Sequence, residues 1–321
     1  MLDIGLDLLV FFIKIIILVA AFLIIVGGSI SLASKGKDKQ KGKLHIKNMN
    51  EQFDEVTNEL NEEILSKREL KKTNKAKKKQ EKTKENKRRI FTLTFDGDIK
   101  ASGVNALREE ITAILSIANT KDEVVIRLTS PGGVIHGYGL AASQLARIKE
   151  HNIPLTVAID TVAASGGYMM ACVADKIIAA PFSIIGSIGA VIQMPNFNKW
   201  LKKHNIDFEQ LTAGEHKRTL TMFGENNDKG REKMQEELEE AHDLFKDFIR
   251  HNRPQVDLNQ VATGEHWFAK RAIELQLVDE LQTSDDYLFD ARNEADIYHL
   301  EYTTKKGLLD RVGKKVSALV Q

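Results

Sequence analysis

The chain has 321 residues, 42% of them apolar, which is room and core-forming material for one large domain or two ordinary ones. That composition excludes collagen-like, low-complexity and fully disordered classes, and a single cysteine, Cys172, excludes an intramolecular disulfide and a cysteine-ligated zinc site. The net charge of +1 hides an asymmetry: residues 31–89 hold 19 Lys/Arg against 10 Asp/Glu, while residues 90–321 are net acidic. The chain is therefore read in zones: an anchor over 1–30, a charged basic linker with an amphipathic helical segment over 31–89, a folded domain over 90–295 and a C-terminal tail over 296–321.

From Leu8 to Val26 every residue but Lys14 is apolar. Nineteen helical residues span the ~30 Å of a bilayer core, so a transmembrane helix in contact with lipid is expected over 8–26. A cleavable signal peptide would want a basic leading segment; here that segment offers only Asp3 and Asp7. Six lysines follow between Lys35 and Lys47 and, by the positive-inside rule, argue for a cytoplasmic flank. Phe53, Val56, Leu60 and Ile64 then recur at helical spacing as a narrow apolar stripe. The Lys71–Arg89 run contains no aromatic residue to stack on bases, so no nucleic-acid partner is expected.

At Ile90 the pattern changes. Residues 90–95 alternate as a strand, 105–118 follow helical periodicity, and 124–128 form a strand closed by Ser130-Pro131-Gly132-Gly133. A helix over 138–150, a strand over 155–159, a small-residue stretch at 163–167, a strand over 176–180 and a helix over 196–204 follow. This α/β alternation predicts a mostly parallel sheet with crossover helices. Ile177–Met194 carries no charge, yet its Pro181, Gly186 and Gly189 suit a strand, a turn and a second buried strand better than a membrane span. A long helix over 228–251 places Met234, Leu238, Ala241, Leu244, Phe245 and Phe248 on one face, and Asn252-Arg253-Pro254 ends it.

Three segments carry candidate chemistry. Gly132-Gly133, after a strand and before a helix, lets the backbone turn tightly and offer N–H groups to an oxyanion. Ser165, in Ala163-Ala164-Ser165-Gly166-Gly167-Tyr168, has no bulky neighbour to block an approaching carbonyl. A serine nucleophile needs a base, and no histidine lies between Ser165 and His204. The segment Gly214-Glu215-His216-Lys217-Arg218 supplies a histidine that reads as a surface residue and a lysine. An ordinary lysine, with a pKa of ~10.4, is neutral in about one molecule per thousand near neutral pH, so Lys217 could serve as a base only where burial lowers that pKa. Cys172 reads as a small buried apolar residue, and Asp160 and Asp175 as structural acids. No Walker loop, Rossmann fingerprint or metal cluster appears, so neither a cofactor nor a metal is expected.

Taken together, SPGG at 130–133, ASGGYMMACVADKI at 164–177, GSIG at 186–189 and AGEHKRTLTMFGEN at 213–226 resemble the signal peptide peptidase A class of serine proteases, peptidase family S49. The likeness covers roughly 90–290 together with the anchor and connector. It implies a ClpP/crotonase-like fold and a Ser–Lys dyad, with Ser165 as nucleophile, Lys217 as general base and Ser187 orienting the lysine amine. Gly133 and Gly166 are the implied oxyanion N–H donors. It also implies a homo-oligomeric ring in which the lysine can reach a neighbouring protomer's serine. The implied reaction is endopeptidase hydrolysis of peptide or protein substrates, hydrophobic ones such as signal-peptide remnants or misfolded membrane proteins, at a bacterial inner membrane. By family likeness the catalytic domain is periplasmic, against the positive-inside reading. An acyl-CoA enzyme of crotonase type and a non-catalytic membrane scaffold are the rival functions.

Overall fold

The computed structural model describes residues 42–81, 87–214 and 216–304, with Phe12, Lys14–Ile16 and Val19. The expected anchor over 8–26 thus lies outside the described residues apart from those five positions, which are helical and exposed. No helix among the described residues is long and apolar enough to cross a membrane. One compact unit comprises Leu44–Tyr302; Met1–Lys43 and Thr303–Gln321 make up another, of which only a few residues are described.

Ten strands and ten helices are described. The first are β1 (Lys43–Asn48), α1 (Met49–Ile64), α2 (Lys67–Glu81), β2 (Arg88–Asp96), α3 (Val104–Leu115), β3 (Glu123–Thr129) and α4 (Ile135–Glu150). Next come β4 (Leu155–Ile159), β5 (Val162–Ala164), α5 (Gly166–Ala171), β6 (Lys176–Ala179), β7 (Ile184–Gly186) and α6 (Asn198–Lys203). The chain continues through α7 (Asp228–Asn252), α8 (Leu258–Val261), β8 (His266–Phe268), α9 (Ala269–Ala272), β9 (Glu280–Leu281), α10 (Ser284–Ala291) and β10 (Ala295–Thr303). The expected mixed α/β architecture with a mostly parallel sheet is present. The uncharged stretch 177–194 contributes β6 and β7, joined by a turn.

The large sheet runs β1-β10-β2-β3-β4-β6-β9, and every pairing from β10 to β9 is parallel. Alternation sorts its side chains by face. Phe91, Leu93, Phe95, Val124, Ile126 and Leu128 join the main core with Leu107, Ile111, Leu145 and Ile148 of α3 and α4. Ile90, Val125, Ala295 and Ile297 face the other way, under Leu288 of α10 and Phe53 of α1.

Two boundaries expected from composition are corrected here. Residues 296–303, expected as tail, belong instead to the strand β10 between β1 and β2, and residues 43–48, expected as linker, form the neighbouring strand. The apolar stripe of the linker is helical as expected, but it docks only at its start. Asn50 Nδ2 donates to the Arg292 and Ala295 carbonyls at 2.8 and 3.0 Å, and Phe53 meets Phe289 edge-on. Val56, Leu60 and Ile64 are exposed.

A unit of long strand, very short strand and helix repeats along the chain: β4, β5, α5, and before it β3, a single bridging residue Ser130, and α4. The short segments form a second, three-stranded sheet, with β5 parallel to β7 and β7 antiparallel to β8. Ser130 adds one parallel bridge to Ala163 at its margin.

The long helix α7 starts at an Asn227 side chain that accepts the Gly230 N–H. Phe245 and Ile249 are its buried residues, whereas Leu244 is exposed. Beyond its C-terminus, the buried Arg253 makes a two-pronged ion pair with Asp279 at 2.7 and 2.8 Å. Burial alone would raise the Asp279 carboxyl, but the Arg253 guanidinium, the Ile177 N–H and Lys176 together outweigh it and hold it below the ordinary carboxylate range. Asp279 also accepts the Ile177 N–H at 2.7 Å, so the pair ties the end of α7 to the sheet.

One buried carboxyl has no cation beside it among the described residues. Glu110 on α3 accepts the Tyr302 N–H at 2.7 Å, and burial pushes its pKa up to about 7 despite that bond. A carboxyl whose folded pKa exceeds its unfolded value binds more protons when folded. Its contribution to stability therefore falls as pH rises through that interval and stays low above it. Melting temperature is expected to fall between pH 5 and pH 8. Glu110→Gln, which keeps the acceptor, is expected to flatten that decline by gaining most at pH 8, as read by thermal melts across pH.

Candidate active site

The site is assembled by the small sheet. Ser130 N–H donates to the Val162 carbonyl at 2.8 Å, Ala164 N–H to the Ser130 carbonyl at 3.0 Å, and Ser165 N–H to the Gly186 carbonyl at 2.7 Å. Ser187 N–H donates to the Glu265 carbonyl at 2.6 Å. Three parallel segments therefore end side by side. Gly132-Gly133, Ser165 and Ser187, far apart in the chain, emerge from the same edge.

Ser165 sits on the tight turn between β5 and α5, with φ +51° and ψ −117°. A non-glycine residue there is strained, by on the order of 1–3 kcal/mol, and persists only where its surroundings dictate it. Close packing of backbone and side chains around the turn dictates it. Gly132 has φ +88°, and a Cβ there would lie 2.7 Å from the Ser165 Cβ and 2.8 Å from the Gly166 nitrogen. A Cβ on Gly166 would fall 2.4 Å from the Tyr138 ring. Ser187 also has positive φ, +52°. Both serines are half-buried.

A short relay of hydroxyls holds the glycine turn. Tyr138 Oη donates to the Asp98 carbonyl at 2.8 Å, so Ser130 Oγ, 2.6 Å away, donates to Tyr138 Oη. Ser130 Oγ in turn accepts the Gly132 N–H at 3.1 Å. Burial raises the Tyr138 pKa, and the Asp98 charge adds to the rise, so the phenol stays protonated. With the Gly132 N–H consumed, the N–H of Gly133 and that of Gly166, first residue of α5, have no acceptor among the described residues. Gly133 lines the same groove as Ser165, and Gly166 follows it in the chain.

Ser165 opens on a groove of about 270 Å³, with Gly133, Ile135 and residues 189–192 on one side and Glu237, Leu238 and Ala241 of α7 on the other. Neither a histidine nor a lysine lines it. Lys217 lies in another place. It is exposed in a turn closed by its N–H to the Gly214 carbonyl at 3.2 Å. It borders an open depression with Met194, Phe208, Leu211, Met222 and Phe223, and no residue lines both cavities. Asparagines knit this segment together: Asn196 Nδ2 donates to the Thr221 and Gly224 carbonyls, and Asn198 Nδ2 to the Phe223 carbonyl. Within one chain, then, Ser165, Ser187, Gly133 and Gly166 come together and Lys217 does not join them.

The other candidates are structural, as the sequence suggested. Asp160 accepts the N–H and hydroxyl of Ser284 at the start of α10, and Asp175 accepts the Leu155 N–H. Burial pushes the Cys172 thiol up to about 12, which removes it as a nucleophile at neutral pH. Sequence reasoning missed the Ser130–Tyr138 relay and β8 behind Ser187. It placed Leu238 and Ala241 on a packing face, where they instead line the groove.

Comparison with known proteins supplies the family. Residues 3–145 match the family described as Peptidase family S49 N-terminal, and residues 147–298 match Peptidase family S49. A Haemophilus influenzae protein described as probable protease SohB is 49% identical over 322 residues, covering 95% of this chain and 91% of its own. Its namesake from Buchnera aphidicola of Schlechtendalia chinensis is 47% identical over 302 residues, covering 89% of this chain and 99% of its own. The enzyme class is therefore that of a protease. The chain belongs to peptidase family S49.

Two glycines test the packing argument in opposite directions. Gly132→Ala is expected to destabilise by about 1–3 kcal/mol, through its positive φ and its clash with Ser165, and to abolish peptidase activity. Gly139→Ala, inside α4 with nothing within 4 Å of the new Cβ, is expected to stabilise by about 0.5–1 kcal/mol with activity intact. Denaturant melts and peptide hydrolysis on both variants read the contrast.

Proposed function

We propose that this chain is a membrane-anchored serine endopeptidase of ClpP/crotonase-like fold. In this reading Ser165 is the nucleophile, Lys217 the general base, Ser187 the group that orients the lysine, and Gly133 and Gly166 the oxyanion donors. The observation that carries it is the strained Ser165 beside two unused backbone N–H groups. Ser165 Oγ attacks the peptide carbonyl and gives up its proton to the neutral Lys217 amine. The carbonyl oxygen, now negative, moves toward the free N–H groups, where fixed dipoles stabilise charge without reorganising. Lys217 returns the proton to the leaving amine, and water, deprotonated the same way, releases the acyl group.

The position of Lys217 supports a dyad shared between protomers. A lysine works as a base only where water is shut out, and in one chain Lys217 is exposed. The segment that carries it also exposes Phe197, Trp200, Phe208, Leu211 and Phe223. So much apolar surface on one segment suits burial against a second copy. That contact would cover the lysine and bring it to the neighbour's Ser165. The apolar run 8–26 anchors the assembly to a bacterial inner membrane, and apolar peptides near that surface are the substrates.

Ser165→Ala and Lys217→Ala are each expected to lose more than about a hundredfold in kcat/KM on an apolar fluorogenic peptide, with melting temperature retained. Co-expressed, the two inactive chains are expected to regain activity, because mixed assemblies pair an intact serine with an intact lysine. Recovery no greater than that of either variant alone would place both groups within one chain. Full activity of Lys217→Ala would remove the lysine from the mechanism.

A further inference from the structure

Among the described residues, the groove at Ser165 has one charged lining residue. Ile135, Val191, Ile192, Leu238 and Ala241 give it apolar walls, and Glu237 stands among them. Glu237 and Ala241 are four residues apart on α7, so they share the helix face turned to the groove. The carboxylate is exposed, and no ion pair or hydrogen bond to it occurs among the described residues. The cation one turn back along the helix, Lys233, hydrogen-bonds Glu236 at 2.9 Å and feels the Glu237 charge only through space. Glu237 lies within the continuous helix α7, so it is presented by a helix and not by a loop.

An apolar channel ending in a lone carboxylate matches a long cationic side chain. The methylene stem of lysine or arginine lies on aliphatic walls while its charge stays at the wet mouth. A plain aliphatic side chain would use the same walls and leave the carboxylate idle; an acidic one would be repelled. We propose that Glu237 is a specificity-determining residue, and that the groove beside Ser165 selects peptides carrying a lysine or arginine side chain within an otherwise apolar sequence. The inference rests on the serine-peptidase reading and adds the substrate class to it.

The test uses the full-length protein in detergent or lipid. The probes are leucine-rich fluorogenic peptides in which lysine, norleucine or glutamate is placed in turn at each of the four positions around the scissile bond. At one position wild type is expected to favour lysine over norleucine by about fivefold in kcat/KM, the scale of an exposed ion pair, with the preference shrinking at high salt. Glu237→Gln is expected to bring that ratio close to one, Glu237→Asp to keep most of it, and Glu237→Lys to favour the glutamate peptide. Each ratio is internal to one variant, so a change in overall stability does not imitate it. A lysine preference that survives Glu237→Gln, or none at any position, overturns the assignment of Glu237 and leaves Ser165 in place. Failure of wild type to cleave even the norleucine peptides overturns the serine-peptidase reading, and this inference with it.

Discussion

Everything at the site depends on the parallel pairing of very short strands. β5 and β7 have three residues each, and Ser130 contributes a single bridge. Parallel neighbours point their C-terminal ends the same way, so each turn that leaves the small sheet does so at one edge. Three segments separated by dozens of residues thus become a row of adjacent turns. The large sheet behind them supplies the rigidity. Its buried parallel strands fix where each short strand begins, and backbone hydrogen bonds of 2.6–3.0 Å fix where each turn ends. The strain at Ser165 is held by that frame and by glycines that let neighbouring backbone approach.

The same frame explains the division of labour between the two halves of the proposed dyad. The serine comes from the best-packed part of the chain, where Tyr168, Met170 and Cys172 beneath it are fully buried. Lys217 comes from a segment joined largely by asparagine side chains and aromatic contacts, with its apolar residues turned outward. Nucleophile geometry is then a property of one folded chain, and the environment of the base a property of its association. In the proposed scheme an isolated protomer has its nucleophile in place and lacks a base.

The motifs were legible because they are backbone demands written as residue types. Glycine at 132 and 166 answers a positive φ or a close approach, and the small residues around Ser165 answer the same crowding. The long helix and the central strands were legible from periodicity. The ends of the sheet were not. β1 reads KLHIKN, and its two lysines suit both a connector and an edge strand that resists unwanted pairing. β10 reads ADIYHLEYT, where burial comes from position between two strands more than from apolar content. The groove wall was misread for a related reason: an apolar helix face looks the same whether it meets a core or an open channel. The Ser130–Tyr138 relay carries no spacing signal, since its partners meet only after α4 folds back.

The place of β10 in the sheet has a consequence for how the chain is made. β1 lies beside β10 alone, and β10 is the last described strand. The segment synthesised just after the proposed anchor therefore has no sheet partner until nearly the whole chain has been translated. During that interval β2 presents an open edge to whatever is nearby, which invites mispairing. The lysines of β1 and the charged helices that follow it keep the waiting segment soluble. The order of synthesis thus makes closure of the large sheet a late event, set by when residues 295–303 emerge.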